Sequence, residues 1–152
     1  MNKILGYAAM SLLLASCVIV VDDGTAPQAN AKNISTPTAT PTKTVSNNSV
    51  LFSADSSILD DSAKAVLRSQ ATVLKNTSLP IKIEGHAEET GTREYNMALG
   101  AQRAAAVRDY LVSQGIAQTR MSIVTFGKER PLATCSSEEC WAKNRRAVTV
   151  VG

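Results

Sequence analysis

The apolar residues of this chain are distributed so unevenly that only one part of it can build a core. Residues 4–21 are almost wholly apolar, residues 22–49 hold almost no large apolar residue, and regular patterning begins only after that. Of 152 residues, about two-thirds remain for a folded unit, enough for one small domain and too few for a second. The front reads as a targeting segment: Met1–Lys3 supplies one positive charge, an apolar run follows, and small residues close it at Leu14-Ala15-Ser16-Cys17. Residues 24–49 contain Pro27, Pro37, Pro41 and six threonines but no aromatic residue. Such a stretch cannot bury enough surface to offset chain entropy and is expected to be a disordered tether. From Val18 to Asn48 it would reach roughly 100 Å fully extended and average roughly 30 Å as a coil.

The motif Leu14-Ala15-Ser16-Cys17 resembles the bacterial lipobox. The resemblance implies acylation of Cys17, cleavage before it, and a stable membrane anchor made of several hydrocarbon tails. The alternative is an uncleaved membrane helix, because the apolar run continues through Val21 and reaches the lower limit for spanning a bilayer. That alternative gives no reason for a cysteine directly after Ala15-Ser16. Val18 is not the aspartate that marks inner-membrane retention in lipoproteins, so the resemblance implies the outer membrane, with the domain in the periplasm. The expected division is a signal peptide at 1–16, an acylated cysteine and tether at 17–48, and a domain at 49–152.

In the domain, strand and helix patterns alternate. Val50–Phe52 reads as a short strand, and Leu59–Lys75 as a helix with Asp60 or Ser62 as its cap. Its apolar face is Ala63, Val66, Leu67, Ala71 and Leu74. Ile81–Glu84 alternates as a strand. Residues 94–114 read as a second helix, with Tyr95, Leu99, Ala106, Val107, Tyr110 and Leu111 on one face and Gly115 as its stop. Met121–Phe126 and Arg146–Val151 are further strands. The order βαβαββ, or βαβαβαβ with a short helix before the last strand, predicts an α+β sandwich with two main helices on one face of a mixed sheet. Phe52 and Phe126 are expected in the core.

Three cysteines remain to be placed. With Cys17 lipidated, Cys135 and Cys140 form an even pair that an oxidising periplasm should join as a disulfide. The closed loop is short, so the bond contributes about 2 kcal/mol. A metal site would need two more soft ligands, and a redox motif would need closer spacing. No metal and no cofactor are expected. Trp141 sits beside the pair, placed to pack on it or to meet a partner.

The net charge of +3 is too small to argue for nucleic acid, and Lys143, Arg145 and Arg146 with one aromatic neighbour do not change that. A single histidine, His86, excludes His-rich metal sites and two-histidine mechanisms. It reads as a packed strand-end residue, since no nucleophile is motif-matched to it.

Arg103 is the unusual residue. It lies four positions from both Leu99 and Val107, which sets a guanidinium on the apolar stripe of the second helix. A charge there needs a partner. Two arrangements would satisfy it. One is an internal salt bridge to Glu84, Glu88 or Glu89. The other is a ligand carboxylate on its planar fork, with Glu88 holding an ammonium group nearby.

The segment Glu84-Gly85-His86-Ala87-Glu88-Glu89-Thr90-Gly91-Thr92-Arg93-Glu94-Tyr95-Asn96, with Ala98-Leu99, Arg103-Ala104 and Tyr110-Leu111, resembles the OmpA C-terminal-like peptidoglycan-binding domain. Ser122 to Pro131 and Lys143 to Val148 resemble its peptidoglycan-associated lipoprotein (Pal) branch. The resemblance covers about residues 49–152, and the lipobox and tether fit it too. It implies non-covalent binding of peptidoglycan through the meso-diaminopimelate of the peptide stem, without catalysis. Glu88 falls where the family has an aspartate, Arg103 falls on its arginine, and Asn96 on an asparagine shaping the same pocket; Thr90 belongs to the same loop. Two departures stand out: Glu88 is one methylene longer than the family residue, and Phe52-Ser53-Ala54-Asp55 replaces Phe-Asp-Phe-Asp. The leading expectation is a lipid-anchored link between outer membrane and cell wall, with a Tol system protein as a further partner. The second is an accessory lipoprotein of a secretion or conjugation machine, docking it at the wall or binding protein. An enzyme would need a zinc site or nucleophile that the sequence does not offer.

Overall fold

The computed structural model describes residues 47–152. The signal peptide, Cys17 and nearly all of the expected tether lie outside the described residues. Asn47 and Asn48 already join the domain: the Asn47 carbonyl accepts from Gln70 Nε2 at 3.0 Å and the Asn48 carbonyl from the Thr149 amide at 2.8 Å.

The elements in chain order are β1 (Ser49–Leu51), α1 (Asp61–Lys75), β2 (Ile81–His86), α2 (Arg93–Ser113), a single 3-10 turn (Gln118–Arg120), β3 (Met121–Gly127), α3 (Glu138–Asn144) and β4 (Arg146–Val151). The short helix before the last strand is present. The sheet order is β1-β4-β2-β3, with β2 and β3 parallel and the other pairs antiparallel. It is the mixed sheet that the alternation predicts, and the fold is α+β.

Helices α1 and α2 form where caps and apolar spacing agree. Asp60 caps α1 by accepting from the Ala63 amide at 2.7 Å, and Thr92 caps α2 by accepting from the Tyr95 amide at 3.2 Å. Helix α1 buries Ala63, Leu67, Ala71 and Leu74, and α2 buries Leu99, Ala104, Val107 and Leu111. These meet Ile81 and Ile83 of β2 and Ala147 and Val151 of β4. Gly115, at φ +91°, turns the chain out of α2 in a conformation that other residues adopt at a cost.

At the far end of the sandwich, helix and sheet touch backbone to backbone. A Cβ on Gly85 would collide with the Gly100 carbonyl, and one on Gly100 with Thr125 Oγ1. This close approach draws Arg103, one turn along α2, under the end of β2.

Two core assignments are corrected. Tyr95 is half exposed, because the first turn of α2 overhangs the sheet, and its hydroxyl donates to Asp55 Oδ1 at 3.2 Å. Phe126 lies on the opposite sheet face from the helices. It stacks on His86 with ring centroids 5.4 Å apart and lies beneath the Arg130 guanidinium at 3.9 Å. Phe52 is in the core as expected.

Candidate functional site

The turn after β2, residues 87–92, links β2 to α2 and is fixed from several sides. The Ala87 amide donates to the Gly127 carbonyl at 2.8 Å. Asn96, buried in the first turn of α2, donates through Nδ2 to the carbonyls of Thr90 at 2.6 Å and Thr92 at 3.1 Å. Lys128 Nζ donates to the carbonyls of Glu89 and Gly91 at 3.1 and 2.7 Å. The backbone carbonyls of a polar turn thus find side-chain donors, and the turn becomes a rigid cradle.

Arg103 lies under this cradle and is fully buried. Among the described residues it meets backbone carbonyls and no carboxylate. No ion pair joins it to Glu84, Glu88 or Glu89 among the described residues, so the internal salt bridge is corrected. Its Nε donates to the Ser56 carbonyl at 2.8 Å, Nη1 to His86 at 3.0 Å and Nη2 to Ser53 at 3.1 Å. The guanidinium also packs 5.4 Å from the Phe52 ring centroid. Three carbonyls from two chain segments spread their partial charges over the delocalised cation. That suits arginine and could not be met by the point charge of lysine. Burial still lowers its pKa to about 10, so it remains charged at neutral pH.

Glu88 is nine-tenths buried and meets a different arginine. Its Oε2 accepts from Arg145 Nη1 at 2.7 Å and its Oε1 from the Thr90 hydroxyl at 2.8 Å. Arg145 caps the end of α3, and its Nε donates to the Phe52 carbonyl at 3.1 Å. Glu138, at the start of the same helix, accepts from Arg145 Nη2 at 2.5 Å and from Nη1 at 3.3 Å. The hydrogen bond that Arg145 donates to Glu138 raises the Arg145 pKa further.

The supposed basic run is therefore no single surface. Lys143 pairs with Glu139 at 2.8 Å in solvent, Arg145 turns inward to Glu88, and Arg146 turns to the other sheet face and donates to the Arg130 carbonyl at 3.3 Å. Arg145 caps α3 and Arg146 opens β4, and this junction separates the last two. Arg145 and Glu138 belong to the site, and sequence reasoning did not place them there. The available signal was their place at the junction of a short helix and the last strand, where Arg145 and Arg146 part to opposite sides.

Trp141 donates from its indole N–H to Glu89 Oε1 at 3.1 Å. Hydrogen bonds from Ser136 and Trp141 hold the Glu89 carboxyl below its usual value. Cys135 and Cys140 are joined as a disulfide with Cα atoms 5.6 Å apart, bracketing the start of α3. His86 is buried, and burial followed by the nearby Arg146 charge lowers its pKa to about 4. No cluster of three or more metal-ligating side chains occurs among the described residues.

The site thus brings Glu88, Thr90 and Asn96 together with Arg145, while Arg103 lies beneath. Its charged groups are two cations, Arg103 and Arg145, among the carboxylates of Glu88, Glu138, Glu89 and Asp55. Such a balance suits a ligand that carries both signs.

Residues 51–145 match the OmpA family. The peptidoglycan-associated lipoprotein of Rhizobium meliloti is 54% identical over 104 residues, which cover 68% of this chain and 59% of that protein. That of Pseudomonas aeruginosa is 50% identical over 95 residues, covering 62% and 56%. The chain therefore spans less than two-thirds of the length of these curated relatives. The crystal structure of the peptidoglycan-associated lipoprotein from Burkholderia pseudomallei superposes with a TM-score of 0.67 at 42% identity, over 69% of this chain and 90% of that one. The cell wall anchor of the T6SS from Pseudomonas aeruginosa gives 0.57 at 29% identity, over 66% and 73%. With the fold, the cradle and the matched span in agreement, the chain belongs to the OmpA family.

Proposed function

We propose that this protein binds peptidoglycan without chemistry, through the diaminopimelate of the peptide stem, and so ties the outer membrane to the cell wall. The observation that carries the reading is Glu88, a nearly buried carboxylate set beside a guanidinium on a rigid turn. One charge of each sign, here in direct hydrogen-bond contact at 2.7 Å, is the complement of an amino-acid end, whose ammonium and carboxylate share one carbon. Each Glu88 oxygen uses one lone pair inside the protein and keeps another for an incoming ammonium. Arg103 contributes its charge from below and fixes the carbonyls that shape the floor. Asn96 and Thr90 hold the loop that presents Glu88.

The names of the relatives support the same reading, since those proteins are called peptidoglycan-associated lipoproteins. In this reading residues 1–16 are a signal peptide, Cys17 carries lipid, residues 17–48 are the tether, and the domain works in the periplasm. Among the described residues no helix is long and apolar enough to cross a membrane. Individual contacts can be weak, because tethering raises effective concentration. A Tol system protein competing for the same face belongs to this reading. Docking a secretion machine at the wall is the second reading, favoured by the likeness to the T6SS anchor; neighbouring Tol or secretion genes separate the two.

The test is co-sedimentation with purified sacculi. Wild-type protein pellets, Glu88→Ala and Arg103→Ala remain in the supernatant, and Glu88→Asp pellets. Wild-type protein that never pellets would overturn the binding claim. Wild-type protein that takes up no labelled fatty acid, with Cys17→Ser as the control, would overturn the anchor.

A further inference from the structure

Arg145 offers a ligand its guanidinium edge, yet that edge is already occupied. Glu138 binds it end-on, one oxygen on Nη2 and the other on Nη1. The two carboxylates on Arg145 differ sharply in exposure. Glu88 is the inner partner, with its side chain 12% exposed, whereas the Glu138 side chain is 70% exposed. Arg145 itself is 7% exposed. Glu138 therefore covers the solvent side of a guanidinium that is otherwise enclosed by Glu88 and the Phe52 carbonyl.

We infer that Glu138 is an internal stand-in for the ligand carboxylate, and that a zwitterionic ligand must displace it from Arg145 to bind. The inference rests on the reading of the site given above and adds the residue that sets its affinity. An amino-acid end places its carboxylate on the Nη1–Nη2 edge and its ammonium on Glu88, which Arg145 Nη1 already touches at 2.7 Å. The backbone of Glu138 cannot leave. It sits in a seven-residue helix whose start is bracketed by the Cys135–Cys140 disulfide. Its exposed side chain can rotate into water, where a carboxylate is well solvated. The exchange swaps one carboxylate for another on the same cation, so it costs about what one exposed ion pair is worth. The Glu138 carboxyl is held below its usual value by the Arg145 hydrogen bond, so it is ionised and competing at neutral pH.

The test uses Glu138→Gln in the full chain, with circular dichroism to verify the fold. Binding is measured to purified sacculi, to free meso-diaminopimelate, and to cadaverine, which has the two amines but no carboxylate. Removing the competing charge should tighten binding to sacculi and to diaminopimelate by about threefold to tenfold. Any cadaverine binding should not tighten, because that ligand has no carboxylate to occupy Arg145. Wild-type and Glu138→Gln proteins that bind diaminopimelate equally, or a variant that binds more weakly, would overturn the stand-in while leaving the proposed function intact. Wild-type and variant proteins that both fail to bind sacculi and diaminopimelate would overturn both.

Discussion

At one end of the helix-on-sheet sandwich, Leu74, Ile81, Leu111, Ile116 and Val151 fill the space; at the other, Arg103, Asn96 and Glu88 do, at nearly the same depth. The apolar end needs only shape, since burying its side chains is favourable in itself. The polar end needs a partner for every donor and acceptor: Arg103 and Asn96 donate to the backbone carbonyls of Ser53, Ser56, His86, Thr90 and Thr92, and Glu88 accepts from Arg145 and the Thr90 hydroxyl. The contrast teaches where function can be placed. A region held by directional bonds keeps charged groups at fixed positions without solvent, whereas an apolar region could not.

The contrast is broken most severely at Arg103. Arg103→Ala removes a fully buried guanidinium and leaves three backbone carbonyls without their donor, and it is expected to destabilise the fold by about 3–5 kcal/mol, read from urea unfolding, with binding lost as well. Arg103→Lys restores the charge but not the planar fork, and should recover only part. At the apolar end, Leu111→Ala is expected to cost about 3 kcal/mol from lost burial and cavity formation. Its folded fraction should bind sacculi with wild-type affinity. A parallel loss of affinity in both variants would show that the two ends are not separable.

The disulfide comes next. Replacing Cys135 and Cys140 by Ser together is expected to cost about 2 kcal/mol of stability. It should also weaken binding, because α3 carries both Glu138 and Trp141. Unchanged sedimentation with sacculi would show that α3 holds its place without the cross-link.

The smallest effect is that of pH. His86 has a pKa of about 4 in the folded protein against 6.5 when free. Above 6.5 it is neutral in both states. As pH falls, the unfolded chain gains the proton first, so stability is lost between 6.5 and 4. The loss from pH 7 to pH 5 should be about 1–2 kcal/mol. His86→Gln should flatten that slope, and an unchanged slope would assign it to other groups.

The regular elements were legible because their signals are local. Asp60 and Gly115 mark helix ends, and the Leu67 and Leu111 stripes repeat at helical spacing. The cysteine count and the expected compartment pointed to the disulfide. Arg103 was legible as exceptional, since a charge among Leu99, Ala104 and Val107 must find a partner. What satisfies it was not legible, because Ser53 and Ser56 lie far away in the chain and contribute backbone, which carries no residue signature. Arg145 was misjudged for a related reason. In sequence it stands with Lys143 and Arg146 as one weak basic cluster, and only the passage from a seven-residue helix into the last strand separates their directions. Phe126 was misplaced because an aromatic residue on a strand fits either face, and the outer face has its own partners in His86 and Arg130.

The single tryptophan, Trp141, hydrogen-bonds Glu89 one residue from Glu88 and so reports on the cradle directly. Titrating a stem tripeptide that contains meso-diaminopimelate into the full chain, while following Trp141 fluorescence, addresses the central claim. A saturable change in the wild type that disappears in Glu88→Ala, with both proteins folded by circular dichroism, is the predicted result. The same saturation midpoint in Glu88→Ala as in the wild type would contradict it.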